Sequence, residues 1–543
     1  MARTPFLRSL LRLASQYRAA RTLGLPVHAV QDLQAQAVAE GGRAFTRRQF
    51  LAGVAAGSAG LMLPGRASAA TRVRPRIAIV GAGVSGLNCA LTLADMGVRS
   101  TVYEASSRIG GRMFSNNNGY WAENQVTEWG GEFIDTGHVT IQNLATRFGL
   151  ALDDLTAAEP AGIEETYYFD QGYYRYREVV EDFAAVYQAV VDDADAAGYP
   201  TTFDTSTPDG RHLDRMSVWD WIERRVPGGH SSNMGQLLEV AYAIEYGADT
   251  SEQSALNLVY LLSGSDPQFE IFGASDERFH VRGGNQQIPL AIADHLAGLG
   301  MPVRTHQRLA AIRQRPDGTF ALTFASGGNR RETISDLVVL TLPFAVLRTV
   351  DYAGAGFDRL KRKAIEQLGR GRNGKLQYQF TRRLWNEPGV WGTSNGLSFS
   401  DLGYQNTWEP TRAQPGSSGI LNNYTGGTVA GRRRAEVPFA FVGNAGVEQD
   451  ATRSLHQINR VFPGLATLWN GKATSSLPHL SPFFRCSYSF WSVDQYHTIA
   501  GYEGARQGNV FFAGEHTSQD FQGFMEGAAS EGARAASEML ARL

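Results

Sequence analysis

Arg76-Ile77-Ala78-Ile79-Val80-Gly81-Ala82-Gly83-Val84-Ser85-Gly86 is the stretch on which the reading of the whole chain turns. Residues 76–80 form a short, β-branched apolar run, the pattern of a strand buried on both faces. The glycine-rich turn follows at once, and residues 87–96 read as a helix that ends near Gly97. A second apolar run, Ser100-Thr101-Val102-Tyr103, stops at Glu104, 23 residues beyond Gly81. Strand, glycine turn, helix, strand and acid stand in the order of a dinucleotide site. Gly81, Gly83 and Gly86 let the backbone reach a pyrophosphate at the positive helix end, beside Ser85. Glu104 is placed to accept ribose hydroxyls, and an acid there disfavours a 2′-phosphate.

Outward from this core, composition removes several classes. The chain has 543 residues, 43% of them hydrophobic, which is ordinary for a folded protein too long for one simple core. Two cysteines, Cys89 and Cys486, exclude a disulfide scaffold, and the 11 histidines show no metal-ligand spacing, so no metal is expected. A formal charge of −2 argues against nucleic acid as a partner. Residues 1–69 carry nine arginines against Asp32 and Glu40, a balance of +7 that leaves −9 for residues 70–543.

That first segment reads as an export signal. Thr46-Arg47-Arg48-Gln49-Phe50-Leu51 precedes a weakly apolar run to Leu63, and Ala67-Ser68-Ala69 supplies a small-residue cleavage site. The run is shorter than the roughly 20 residues that cross a bilayer as a helix. The expectation is twin-arginine export of the folded, cofactor-loaded protein, with the translocation machinery as a partner and a periplasmic or secreted location.

Further blocks follow the dinucleotide motif. Arg108-Ile109-Gly110-Gly111-Arg112 sets a flexible pair of glycines between two cations. Glu128-Trp129-Gly130-Gly131-Glu132-Phe133-Ile134-Asp135 is a second close-approach turn. Near the C-terminus stand Asn509-Val510-Phe511-Phe512-Ala513-Gly514-Glu515 and then Gly523-Phe524-Met525-Glu526-Gly527-Ala528, which opens a small-residue helix. These four blocks in this order resemble the flavin-containing amine oxidase family, which includes monoamine, polyamine and L-amino-acid oxidases. Gly283-Gly284-Asn285, the strand Val338-Val339-Leu340-Thr341-Leu342-Pro343, and residues 303–312 are weaker matches, so the resemblance covers roughly residues 74–542.

The resemblance implies an α/β fold, in which a discontinuous Rossmann-like FAD-binding domain (residues 70–150, 275–350 and 495–543) is interleaved with an α+β substrate domain. That second domain takes residues 151–274 and 351–494, with helices such as 176–197 and 234–246 and a mostly antiparallel sheet. Arg112, Gly130, Gly131, Leu309, Trp491, Gly514, Glu515 and Met525 would join the glycine turn and Glu104 in holding FAD. No cysteine stands in Gln495-Tyr496-His497-Thr498-Ile499-Ala500-Gly501-Tyr502, where covalent members carry one, so the flavin is expected to be non-covalent. Lys375 matches the family lysine that holds a water at flavin N5 and favours reoxidation by O2. Phe524 and Tyr502 match the two aromatic walls beside the substrate amine.

Phe133 occupies the position where L-amino-acid oxidases resembling this chain place a carboxylate-binding Arg, a role no Phe can fill. Asp135 matches a carboxylate that some polyamine oxidases direct at a distant substrate nitrogen, and Glu132 adds an acid to the same turn. Asp135 reads equally as a cap for a following helix. The expected activity is an amine oxidase giving an imine and hydrogen peroxide. An L-amino-acid oxidase with a relocated carboxylate site is the alternative, ahead of a desaturase-like flavoprotein or a non-catalytic flavin carrier. A homodimer is left open.

Overall fold

The computed structural model describes residues 75–263 and 275–543. The export signal lies outside the described residues. Ile77–Val80 is the second strand of a four-stranded parallel sheet in the order Thr101–Tyr103, Ile77–Val80, Leu337–Leu340, Val510–Phe512. Ile79 lies opposite both Val102 and Val339, and Val339 opposite Phe511. Nearly every residue of these strands is buried, because helices cover both faces of a parallel sheet. The four strands fall within the three segments expected to bind FAD.

Val84–Asp95 and Met525–Leu540 pack against each other beside this sheet. Their closeness depends on Gly532, where a Cβ would lie 2.1 Å from the Ser85 carbonyl oxygen. Asn88 then donates to the Ala529 carbonyl across the same contact at 2.8 Å. A three-stranded antiparallel sheet, Arg308–Gln314, Phe320–Ser326 and Asn329–Ser335, is bridged to the first by Tyr103 and Arg304.

An eight-stranded sheet forms the second layer system, and its strands all fall within residues 151–274 and 351–494. It is antiparallel except where Glu164–Phe169 runs parallel to Ser394–Ser400. At its centre Asn373–Phe380 is buried throughout. The alternation in Lys375-Leu376-Gln377-Tyr378-Gln379-Phe380 sorts the strand into two faces. Leu376, Tyr378 and Phe380 join a core with the helix Ala445–Val461, including Val447, Ala451 and Ile458. Lys375, Gln377 and Gln379 face the other way, toward residues 122–130, where Gln377 accepts from the Thr127 hydroxyl at 2.8 Å. Helices Tyr176–Ala197, Val218–Arg225, Asn233–Tyr246 and Ala255–Leu262 add a helical layer; Ser217, Ser232 and Ser254 cap the last three through their hydroxyls. Among the described residues no helix is long and apolar enough to cross a membrane, and no group of side chains could hold a metal.

Candidate active site

A cavity of about 490 Å³ connects the two sheet systems. Its first part is built by the glycine motif. Gly81 leaves the strand with φ +111°, and a Cβ there would meet Thr341 Oγ1 at 2.4 Å. Gly86 stands behind the lining, where any side chain would strike the Gly81 carbonyl oxygen. The helix Val84–Asp95 starts at Gly83 with no side-chain cap, so its first amides point at the cavity unsatisfied. The Ser85 hydroxyl at this helix end is buried and has no protein partner. Such an orphaned donor beside free helix amides fits a phosphate.

Glu104 is fixed by three donors: Ala82 N–H to Oε2 at 2.9 Å, and the Ser106 N–H and hydroxyl to Oε1, each at 2.8 Å. Oε2, with a single donor, keeps room for a ribose hydroxyl. The Gly110-Gly111 turn docks on the glycine motif, with Gly110 N–H donating to the Ala82 carbonyl at 2.9 Å. A Cβ on Gly111 would sit 3.2 Å from the Gly83 Cα. Arg112 reaches across the chain to Glu515 at 2.8 Å and to the Ser487 carbonyl at 2.8 Å. Burial opposes ionisation of Glu515, yet Arg112 holds its carboxyl below the ordinary range. Glu515 Oε2 also accepts Gly523 N–H at 3.1 Å, which fixes the turn before Phe524 and Met525. Met525 lies over Gly131, where a Cβ would come within 2.9 Å of its side chain. Leu309 and Gly514 complete this part of the lining.

The second part is set by strand register. Ser476, Lys375, Tyr424 and Asn406 are successive cross-strand partners, and all four line the cavity as one row. Lys375, 7% exposed, donates to Glu132 Oε2 at 2.7 Å, the Gly130 carbonyl at 2.7 Å and the Glu128 carbonyl at 3.2 Å. An ammonium has three N–H groups. All three are engaged, so this bonding leaves none for the water expected from the family resemblance.

Aromatic rings continue the row: Phe133 lies 5.7 Å from Trp408, and Trp408 4.8 Å from Tyr424. The Tyr424 and Tyr488 hydroxyls are 3.1 Å apart. Phe524 lines the cavity and meets His138 edge-on at 5.2 Å.

Carboxylates share this space. Asp135 accepts from the Ser275 hydroxyl at 2.8 Å and Glu277 N–H at 3.1 Å, with His138 Nε2 at 3.3 Å. Burial raises its carboxyl above the ordinary range, against the pull of His138. Asp135 does not cap the following helix; Glu526 does so from outside, accepting Thr140 and Ile141 N–H, both at 2.9 Å. Glu277, with a left-handed φ of 44°, is pushed up to about 8 by burial, then by Asp135 and Glu245. Glu132 and Glu245 also line the cavity.

The cavity thus brings together Gly81, Gly83, Ser85, Glu104, Arg112, Gly130, Gly131, Phe133, Asp135, Leu309, Lys375, Gly514, Glu515, Phe524 and Met525. Besides Gly86 behind the lining, two expected residues stand apart. Trp491 is core: its indole N–H donates to Glu503 at 2.8 Å and its ring packs on Tyr496 at 4.6 Å. Tyr502 follows the turn Tyr496–Ile499 away from the cavity, packs edge-on to Phe203 at 5.0 Å and donates to Asp358. Tyr488 and Tyr424 supply the aromatic surface in their place. Tyr424 comes to the row through its register with Lys375, and residues 419–426, with Ile420-Leu421 and Asn422-Asn423 side by side, carry no alternation that would announce it. Trp408, Glu245 and Glu277 carry no local signal.

Comparison with known proteins places this arrangement. The model of the flavin containing amine oxidoreductases matches residues 84–540. An L-amino-acid oxidase of Siganus canaliculatus is 24% identical over 490 residues, covering 85% of each chain. The structure of cyclohexylamine oxidase from Brevibacterium oxydans matches with a TM-score of 0.71 at 21% identity, covering 87% of this chain and 99% of the other. Putrescine oxidase bound to putrescine matches with a TM-score of 0.69 at 19% identity, covering 87% and 100%. With a model match that runs from the first glycine motif to the last helix, the chain belongs to the flavin-containing amine oxidoreductase family, and its cofactor is FAD.

Proposed function

We propose that the protein oxidises cationic amines that carry a second positive nitrogen, with O2 as acceptor and with imine and hydrogen peroxide as products. The observation that carries this reading is the convergence of Glu132, Asp135, Glu245 and Glu277 on one aromatic cavity, with Phe133 where a carboxylate-binding Arg would stand. FAD, held by the glycine turn, Ser85, Glu104 and Arg112, would supply the acceptor for the hydride from the carbon beside nitrogen and the electrons' route to O2.

The protein's part is binding, orientation and exclusion of water. Ser85 and the free amides of Val84–Asp95 would hold the pyrophosphate, Glu104 a ribose hydroxyl, and Arg112 the geometry between the two chain ends. Phe524, Tyr424, Tyr488 and Trp408 give the amine a largely apolar wall, which strengthens electrostatic interactions inside. Asp135 and Glu277 meet the distant ammonium, in a cavity whose acids favour a dication over an amino acid. Neither cysteine lines the cavity, which supports a non-covalent flavin. The putrescine oxidase structure, bound to a diamine, is consistent with the same substrate class. The twin arginines at 47 and 48 support export to the periplasm or beyond.

A second reading has its own observation. The Arg412 guanidinium lies 5.6 Å from the Phe133 ring and close enough to Glu277 to affect its charge. A relocated carboxylate site would use it, in line with the relatives named L-amino-acid oxidases. Arg412 is however bonded to Glu159 and to the Glu409 carbonyl. Peroxide release from the yellow protein, measured against monoamines, diamines, polyamines and L-amino acids, decides between them. Preference for amines with two nitrogens supports the main reading, and turnover confined to L-amino acids refutes it.

A further inference from the structure

The reaction needs an amine with a free lone pair, yet an alkyl ammonium loses its proton near pH 10, so about one molecule in a few thousand is neutral at pH 7. A cavity that selects cations must therefore also take a proton from them. Asp135 already accepts one hydrogen bond on each oxygen, from Glu277 N–H and from the Ser275 hydroxyl, with His138 Nε2 at 3.3 Å. Glu277 keeps its own proton at neutral pH, because burial, Asp135 and Glu245 push it up to about 8. Burial also raises the Tyr424 and Tyr488 hydroxyls far above their ordinary value, so both stay neutral.

Glu132 differs from all of these. Its side chain is 4% exposed, Oε2 takes Lys375 at 2.7 Å and the Trp408 indole N–H at 3.2 Å, and Oε1 is buried with no protein partner. A buried carboxylate oxygen left without a donor is costly unless a ligand completes it. The residue lines the cavity in the same turn as Phe133 and beside the Lys375–Tyr424 row. Lys375 is its opposite charge, Trp408 its neutral donor, and Glu277 and Tyr424 are close enough to feel its charge; Asp135, Glu245 and Arg412 complete the charged surroundings.

We propose that Glu132 is the catalytic base of this cavity: Oε1 accepts a proton from the substrate ammonium before the neighbouring carbon gives up hydride. This assignment rests on amine oxidation at this site. In the step an N–H bond of the ammonium breaks and an O–H bond forms on Glu132, leaving a neutral amine. Hydride then leaves carbon with its electron pair, and the product is an iminium ion. The proton held by Glu132 joins the two electrons and the hydride hydrogen on O2, so ammonium plus O2 gives iminium plus hydrogen peroxide with no proton left over. Lys375 is the positioning residue: its ion pair fixes Oε2 and thereby the direction of Oε1.

Two measurements test the assignment. The first uses tert-butylamine, which binds as an amine but has no hydrogen on the carbon beside nitrogen. The infrared difference spectrum of the FAD-loaded wild type on binding it should gain a protonated-carboxyl band, and E132Q should not. The second is anaerobic flavin bleaching by a substrate amine across pH. E132Q should bleach about a hundredfold or more slowly at pH 7, with the deficit closing as pH approaches the amine's own value, where the substrate arrives neutral. E132D, which keeps a carboxylate, should recover part of the rate at pH 7 with FAD content unchanged.

A wild type with no new carboxyl band, or an E132Q protein with the same band and the same pH profile, overturns the assignment even where amines are oxidised. A loaded wild type bleached by no amine overturns the underlying reading and the assignment with it. The wild-type infrared result stands whether or not E132Q folds.

Discussion

Glu277 offers a test in which protonation and substrate charge pull in opposite directions. Its carboxyl is pushed up to about 8, so roughly one molecule in ten is ionised at pH 7. A distant substrate ammonium bonded to the ionised form would gain about 1.5–3 kcal/mol, the range of charge-assisted hydrogen bonds. Ionising Glu277 one unit below its midpoint costs about 1.4 kcal/mol. At pH 7 the net gain is thus about 0–1.6 kcal/mol, at most a factor of roughly 15 in KM. Near pH 9 the ionisation cost has vanished and the full factor, about 10 to 150, should appear. The assay compares KM for a terminal diamine and for the monoamine of equal chain length, from about pH 6.5 to pH 9.5, where both remain charged. The diamine's KM should fall with rising pH in the wild type and stay flat in Glu277→Gln, while the monoamine behaves alike in both proteins. A diamine profile of the same shape in wild type and E277Q would refute the placement of the second nitrogen at Glu277.

Lys375→Met removes the buried cation next to Gly130, and turnover with O2 should drop at least roughly tenfold while FAD occupancy changes little; equal loss of both in stopped-flow and absorbance measurements would show that Lys375 serves to hold the cofactor site together rather than turnover. Glu104→Ala should release FAD on dilution, and a mutant that stays fully yellow at low FAD would count against the ribose contact. Acid precipitation should leave a colourless pellet, since neither cysteine lines the cavity. Tyr502→Phe should keep kcat/KM within about twofold, as expected away from the site; a large loss would return Tyr502 to the catalytic walls.

Much of the fold was legible because its signals are local. The run at 76–86 contains strand, turn and helix start in consecutive residues, and each block that followed carried glycines whose backbone paths no other residue allows. Alternation in residues 375–380 likewise places Lys375 opposite the apolar core without reference to any other strand. The misplaced residues fail for the opposite reason. Trp491 and Tyr502 were placed by spacing within one segment, but the chain between them holds the turn at Tyr496–Ile499, which sends Tyr502 toward Phe203. Glu277 and Trp408 become neighbours of Asp135 and Glu132 only through long-range pairing, such as the bridge of Ile134 to Phe279 and the register of Asn406 with Tyr424. The Lys375–Glu132 pair spans 243 positions, and nothing in either local sequence announces the other.

The distribution of charge in the cavity has a consequence for stability. Glu277 has a folded-state value above its ordinary 4.5, so the folded protein retains a proton that the unfolded chain has lost over the interval up to about 8. By linkage, the stability associated with that proton is complete below the unfolded value and is lost as pH rises through the folded one. Asp135 is shifted in the same direction, with burial again the leading cause. The free protein is therefore least favoured at the alkaline pH where its acids best attract a dication. A ligand that brings two positive charges reverses this, because it stabilises the ionised carboxylates that burial alone opposes. Glu132 is paired with Lys375 at 2.7 Å, while Glu277 is raised by burial and by its acidic neighbours, so one residue type meets two different surroundings in the same cavity.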